Sequence, residues 1–220
     1  MAQLAPPTTR TATIAGLCWL GFAAIAAAVT QGWTQQLDEA ILIALRRGPA
    51  ALNGPFIAIT DMGSGTVRFV VMTTGCVALL VLRQWRGAAF LVLAALPARI
   101  IVSNMKYLFG RERPSVVAHL VDAGGFSFPS SHAFGGTSLY LALALAFAPS
   151  IAPARRHPMI TPALIIGGLL IGSLISFSRV WLGVHYPSDV VAGWLAAIGW
   201  VLVWHFIVIR AAPSENGIAP

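Results

Sequence analysis

Apolar positions in this chain do not alternate; they come in long runs. Six of them, near residues 12–33, 66–84, 87–108, 132–149, 160–178 and 189–210, approach or reach the length that crosses a bilayer, about 18–20 residues of helix. Arg10 ahead of the first run suggests a signal peptide, but Gln31 to Gln36 offer no small-x-small cleavage site, so the run is read as a span. Between the first two runs, over residues 35–49, the period changes. Leu37, Ala40, Ile41, Ala44 and Leu45 oppose Asp38, Glu39, Arg46 and Arg47, the pattern of a helix lying in the interface. Asn53-Gly-Pro and Met62-Gly-Ser-Gly65 then read as turns into the second span. The expected fold is an all-α integral membrane protein, a six-transmembrane helical bundle with a short interfacial helix between the first two spans. It forms one membrane domain over residues 1–220. Gly168 and Gly172 share a face of the fifth run and are assigned to close packing inside the bundle. The tail from Pro213 to Pro220 is expected to fray.

Composition agrees with the pattern. The chain is 57% hydrophobic and 10% charged, whereas a soluble domain carries about 25% charged residues. Its net charge of +7 would raise nucleic acid as a partner in a soluble protein. Here no nucleic-acid-binding motif is present, and the balance fits basic loops and an anion site. Cys18 and Cys76 lie in apolar runs and read as core thiols. In the six-span arrangement Arg10, Arg83, Arg86, Arg155, Arg156 and Arg210 share one side. Arg46, Arg47, Arg68 and Arg111 share the other, with Lys106, Arg113 and Arg179. Counted whole, the sides show no useful bias. With Lys106, Arg113 and Arg179 set aside as site residues, the positive-inside rule places both termini in the cytoplasm.

Those set-aside cations belong to polar clusters at the ends of apolar runs, all on the extracytoplasmic side. Charge near a membrane is costly and marks function by default. His185 and Asp189 stand four apart ahead of the last span. A carboxylate on one ring nitrogen fixes the tautomer and frees the other to attack, and Asp189 also suits a helix cap. Pro129-Ser130-Ser131-His132 opens the fourth span. A helix start offers free N–H groups to phosphate oxygens, Ser130 adds a hydroxyl and Ser131 a backbone N–H. His132 faces a leaving-group oxygen as a general acid; a Ser cap with an interfacial His is the plainer meaning of this tetrapeptide alone. Arg113 and Arg179 suit bidentate contact with phosphoryl oxygens, and Lys106 adds a point charge. Singly, each cation also fits a snorkelling interfacial anchor, and Arg111 with Glu112 is read as solvated.

Taken together these residues resemble the type 2 phosphatidic acid phosphatase superfamily, whose signature is K-x6-RP, PSGH and SR-x5-H-x3-D. Lys106-x6-Arg113-Pro114 and Ser178-Arg179-x5-His185-x3-Asp189 match fully, and Pro129-Ser130-Ser131-His132 places Ser131 in the glycine position. The motifs span residues 106–189 and the span pattern carries the resemblance over nearly the whole chain. The resemblance implies an integral-membrane phosphatase of a lipid phosphate or diphosphate, of undecaprenyl diphosphate, phosphatidic acid or phosphatidylglycerol phosphate type. In it His185 is the nucleophile that becomes phosphohistidine, Asp189 orients it, and His132 protonates the leaving group and then activates water. Lys106, Arg113, Ser130, Ser131 and Arg179 hold the phosphoryl group. No metal or other cofactor is implied, and the sequence has no carboxylate cluster for Mg²⁺ and no Zn²⁺ ligand set. The expected partners are the lipid phosphate and membrane lipids, not nucleic acid. The location is the cell (inner) membrane, multi-pass.

Two other readings share these residues. A lipid phosphotransferase would use the same His185 chemistry with another hydroxyl as acceptor. A non-enzymatic anion transporter would also place charge at helix ends, but neither broken-helix pairs nor inverted repeats appear. The haloperoxidases that share the phosphate motifs are soluble, unlike this composition. Arg99, seven residues before Lys106, is expected on the same helix face, lining the bundle interior below the site. His119 and His157 read as loop residues without partners, and His205 as structural. Thr60 and Asp61 are candidates to cap the second span. Trp33, Trp85, Trp181 and Trp204 suit interfacial belts, and Trp194 and Trp200 the bundle interior.

Overall fold

A computed structural model describes residues 9–151 and 159–210. Arg155, Arg156, His157 and the tail from Pro213 lie outside the described residues. Among those described, the regular structure is helical: α1 (Thr9–Thr30), α2 (Gln35–Arg46), a 3-10 turn (Ala50–Leu52), α3 (Asn53–Asp61), α4 (Gly65–Val81), α5 (Trp85–Ala95), α6 (Ala98–Phe109), α7 (Ser131–Ile151), α8 (Ile160–Trp181) and α9 (Pro187–Arg210). Five stretches are long and apolar enough to cross a membrane: α1, α5 with α6, α7, α8 and α9. A sixth is obtained when Ala50–Asp61 and Gly65–Val81, bent by 50° at their junction, count as one span. The all-helical membrane bundle and its interfacial helix α2 agree with the sequence pattern.

Burial follows the apolar stripes. In α1 the buried residues are Ala15, Cys18, Phe22 and Ala26, a single helical stripe, and the rest of its surface is open. That stripe packs on α9. α7 is different: apolar nearly all round, it is buried on most of its surface among α4, α5, α6, α8 and α9. It is the central post of the bundle. Gly168 and Gly172 allow α8 to press on it. A Cβ on Gly168 would lie 2.6 Å from the Tyr140 carbonyl oxygen, and one on Gly172 would lie 2.6 Å from Thr137 Oγ1. These glycines serve internal packing, as their spacing indicates. Large apolar side chains such as Leu20, Phe69, Ile100, Leu108 and Leu170 point outward on the other helices. In water such a surface would aggregate; in a bilayer it is the lipid face.

Several local expectations are revised. Asn53-Gly-Pro opens α3 rather than a turn, because proline in a first helical turn lacks an N–H that would be unpaired anyway. Ser64, not Thr60 or Asp61, caps α4, its Oγ accepting from Val67 N–H at 3.3 Å. The third span breaks at Leu96-Pro97 into α5 and α6. Trp204 lies edge-on to Trp200, and Trp33 and Trp85 are exposed as an interface requires. His205 is buried edge-on to Phe90, a structural position. His119 is not without a partner: its Nε2 lies 2.7 Å from the Pro114 carbonyl oxygen.

Candidate active site

The sequence brings four helix ends to one place. α6 stops at Gly110, whose φ of +59° suits glycine and whose N–H bonds the Lys106 carbonyl. The chain then runs through irregular residues 110–130 to the start of α7. α8 ends at Trp181, and residues 182–186 lead into α9. Lys106, Arg113, Ser130, Ser131, His132, Arg179, His185 and Asp189 therefore all stand at the same end of the bundle.

His185 is buried at 1% exposure. Its Nδ1 lies 3.3 Å from Asp189 Oδ2, and its Nε2 lies 3.2 Å from Arg113 Nη1. A guanidinium only donates, so Nε2 presents its lone pair and Nδ1 carries the proton toward Asp189. Burial pushes the imidazole well below its ordinary pKa of 6.5, and Arg113, Lys106 and Arg179 push it the same way. The neutral ring is thereby the resting form. Asp189 also accepts from Tyr186 N–H at 2.9 Å, so the helix-cap reading and the orienting geometry hold together.

The cations are held by carbonyls and a hydroxyl, not by acids. Arg113 donates to the carbonyls of Gly124 at 2.9 Å, Gly125 at 3.0 Å and Val184 at 2.7 Å. Burial lowers its pKa, against the opposing pull of Asp189. Lys106 Nζ donates to the Phe126 and Ser127 carbonyls. Arg179, 4% exposed, donates from Nη1 to Thr60 Oγ1 at 2.7 Å, while its Nε is buried without a partner. Thr60 is thus a support for Arg179. α3 reaches that position because Trp181 Nε1 bonds Asn53 Oδ1 at 3.0 Å and its ring packs on Phe56. None of Lys106, Arg113 and Arg179 forms an ion pair among the described residues. Three buried or half-buried cations without acids leave uncompensated positive charge beside His185, a field that selects an anion.

Ser130 is fully buried and caps α7, its Oγ accepting from Ala133 N–H at 3.4 Å. Its hydroxyl proton is not used by that bond. Ser131 and His132 form the first turn of α7, where backbone N–H groups lack intrahelical acceptors. His132 packs against Gly63, where a Cβ would lie 3.0 Å from the ring. It lies within the electrostatic reach of Arg179, His185, Arg68 and Arg113.

Three residues essential to this geometry escaped the sequence reading. Arg111 is not solvated: its Nη1 donates to Asp189 Oδ1 at 2.7 Å and its Nη2 to Asp38 Oδ2 at 2.8 Å. Its guanidinium lies 4.0 Å from the centre of the Tyr186 ring. Asp38, placed by its pattern on the polar face of α2, is 2% exposed and also accepts from Ser188 N–H and Oγ. Ser127 donates its hydroxyl to Asp189 Oδ2. The only available signal was the two-residue separation of Arg111 from Arg113, and residue type alone could not divide their roles. Arg99 is also displaced from its expected position. It is exposed and lines a lateral cavity with Arg68 rather than the bundle interior. Among the described residues no cluster of His, Cys, Asp and Glu forms a metal site.

The profile of the PAP2 superfamily matches residues 87–212, more than half of the chain and all of the motif residues. The chain is 31% identical over 178 residues to phosphatidylglycerophosphatase B of Bacillus subtilis (strain 168), covering 80% of this chain and 85% of that protein. It is 40% identical over 84 residues to undecaprenyl-diphosphatase BcrC of the same organism, covering 38% of this chain and 35% of that one. The crystal structure of a transmembrane PAP2-type phosphatidylglycerolphosphate phosphatase from Bacillus subtilis superposes with a TM-score of 0.77 at 26% identity, covering 89% of this chain and 94% of that one. Motifs, bundle and matched length agree: the chain belongs to the PAP2 superfamily and is an all-helical membrane phosphatase.

Proposed function

We propose that this single membrane domain hydrolyses the terminal phosphate of a lipid phosphate or diphosphate through a phosphohistidine on His185, at the extracytoplasmic face. The observation that carries the reading is the pairing of a lone-pair-bearing His185 Nε2 with three cations that lack acidic partners. The lipid keeps its tails in the bilayer and offers its headgroup at the bundle end. Arg113, Arg179 and Lys106 meet the phosphoryl oxygens, with the Ser130 hydroxyl and the N–H of Ser131. The buried Arg179 Nε gains there the acceptor it lacks.

His185 Nε2 attacks phosphorus in line. The N–P bond forms as the bond to the leaving oxygen breaks, and the proton on His132 passes to that oxygen. The Nδ1 proton stays with His185, and Asp189 stabilises the positive ring. A water then enters on the vacated side. His132 takes its proton, the new O–P bond forms, the N–P bond breaks, and the Nε2 lone pair returns as phosphate leaves. Arg111 and Ser127 hold the Asp189 carboxylate throughout, and are positioning residues.

The relatives act on phosphatidylglycerophosphate and undecaprenyl diphosphate by their names; both are offered as substrates of this chain. The test is a rapid quench in alkali with terminally labelled lipid phosphate. A base-stable, acid-labile label on the wild-type chain is expected, absent from His185→Ala, whose kcat falls at least about 10³-fold. Labelled phosphate should be released to water without an added acceptor. Transfer of label only to an added lipid or sugar hydroxyl would replace hydrolysis by phosphotransfer.

A further inference from the structure

We propose that Arg68 and Arg99 form a second anion subsite, which takes the inboard phosphate of a lipid carrying two phosphoryl groups on a short polyol spacer. The proposal rests on the hydrolase reading above. A cavity of about 510 Å³ opens on the side of the bundle, lined by Thr66, Arg68, Met72, Arg99, Gly135 and Leu139 among others. Phe69 and Leu96 at its edge are exposed, so the cavity faces the lipid. Two guanidiniums in one lipid-facing cavity are costly unless an anion joins them. No acid does so: neither Arg68 nor Arg99 has an ion pair among the described residues.

The site is built. Arg68 Nη1 donates to the Ser131 carbonyl at 3.3 Å, and its Nε is buried without a partner. Gly135 leaves the slot for this side chain, since a Cβ there would fall 1.1 Å from Arg68 Nη1. Arg68 thereby stands between two regions, in electrostatic contact with Arg99 on one side and His132 on the other. Arg99 precedes Lys106 by seven residues on α6, about 10 Å along the helix axis and on the same face. The face carries one cation at the level of His185 and another deeper in the bilayer. A lipid whose terminal phosphate meets Lys106 and His185 would put a second phosphate at the level of Arg99 when a polyol separates the two. The phosphorus atoms of a diphosphate share one oxygen and stand too close to serve both levels.

The experiment uses the full chain purified in non-ionic detergent, with phosphate release measured from phosphatidylglycerophosphate and from phosphatidic acid. Arg99→Gln should lower kcat/KM on phosphatidylglycerophosphate by about 10–100-fold through KM, the range of one charged hydrogen-bonded contact. On phosphatidic acid the same variant should stay within about twofold of wild type. Arg99→Lys should recover most of the loss, and Gly135→Ala, which evicts Arg68, should reproduce it. Arg99 is exposed, so Arg99→Gln keeps the test decisive even where Gly135→Ala does not fold. Equal losses on both substrates, or none on either, overturn the subsite. Titrating phosphatidylglycerol or inorganic phosphate into the micelles separates the sources. An Arg99-dependent effect of either, equal on both substrates, assigns the cavity to a neighbouring headgroup or free phosphate and overturns the proposal. A wild type that releases phosphate from neither of these lipids nor from undecaprenyl diphosphate sinks the hydrolase reading and this subsite with it; an active wild type with an indifferent Arg99→Gln, or one active on undecaprenyl diphosphate alone, sinks the subsite alone.

Discussion

In the proposed mechanism His185 meets opposing demands: a nucleophile must keep its lone pair, yet a phosphate site must be cationic. Burial resolves them. A buried imidazole surrounded by Arg113, Lys106 and Arg179 resists a proton, so its pKa lies well below 6.5 in the substrate-free enzyme. The acid limb of kcat/KM assigned to the enzyme should therefore lie below pH 6.5. Arg113→Ala removes the largest of the cationic contributions and should move that limb up toward 6.5, while also weakening substrate binding. Substrate ionisation is common to both proteins, so their difference isolates the enzyme group; an unmoved limb would show that Arg113 does not set the His185 charge. The stability sign is the same. The unfolded chain takes up a proton below about 6.5 that folded His185 refuses, so its contribution is complete above that pH and is lost as pH falls. At this scale the sequence was legible for the residues that gather around His185, because the chemistry proposed for them dictates their type and spacing. It misplaced Arg111 in water and passed over Ser127, because they serve Asp189, and nothing about an arginine or serine in a loop tells which carboxylate it will meet.

Among the elements, α2 is the one whose role the structure changes most. Its amphipathic period makes it an interfacial helix, and it is one. The apolar stripe and the charged face, however, do not reveal that Asp38 turns inward to Arg111 and to the N–H and hydroxyl of Ser188. Through that carboxylate α2 is fastened to the start of α9 and to the loop after α6. The pair Asp38–Arg111 is enclosed, with side-chain exposures of 4% and 11%. Removing one partner of such a pair costs about 3–5 kcal/mol, because the other charge stays buried. Asp38→Ala should show a loss of that order in thermal or denaturant unfolding, with a lower kcat as Arg111 relaxes from Asp189. Asp38→Asn keeps the acceptor oxygen for Ser188 and should lose less. A stability change confined to Asp38→Ala with kcat intact would make α2 a brace and nothing more. The spans themselves were readable to within a few residues, since lipid solvation imposes length and apolarity directly. The break at Pro97 and the helical start at Asn53 were not, because a proline permits both a turn and a first helical turn.

For the whole molecule the open question is which way the bundle faces. Helix order alone places α6, α7, α8 and α9 with their motif-bearing ends together, opposite the α4–α5 turn that carries Arg83 and the start of α5 that carries Arg86. Leaving out the cations proposed to hold phosphate, loop arginines favour the end with the termini, and translocation leaves basic loops in the cytoplasm. The residues set aside from the count are those for which a phosphate substrate is proposed. The proposed orientation therefore puts His119, in the loop between α6 and α7, outside the cell membrane. It puts Arg83, between α4 and α5, inside. The two native cysteines lie within α1 and α4, so a membrane-impermeant maleimide should label wild-type cells weakly. In intact cells stripped of any outer envelope, His119→Cys should be labelled and Arg83→Cys should be labelled only after permeabilisation. The reverse pattern would move the site to the cytoplasmic leaflet, with the bundle and its chemistry unchanged but the pool of accessible lipid phosphates replaced.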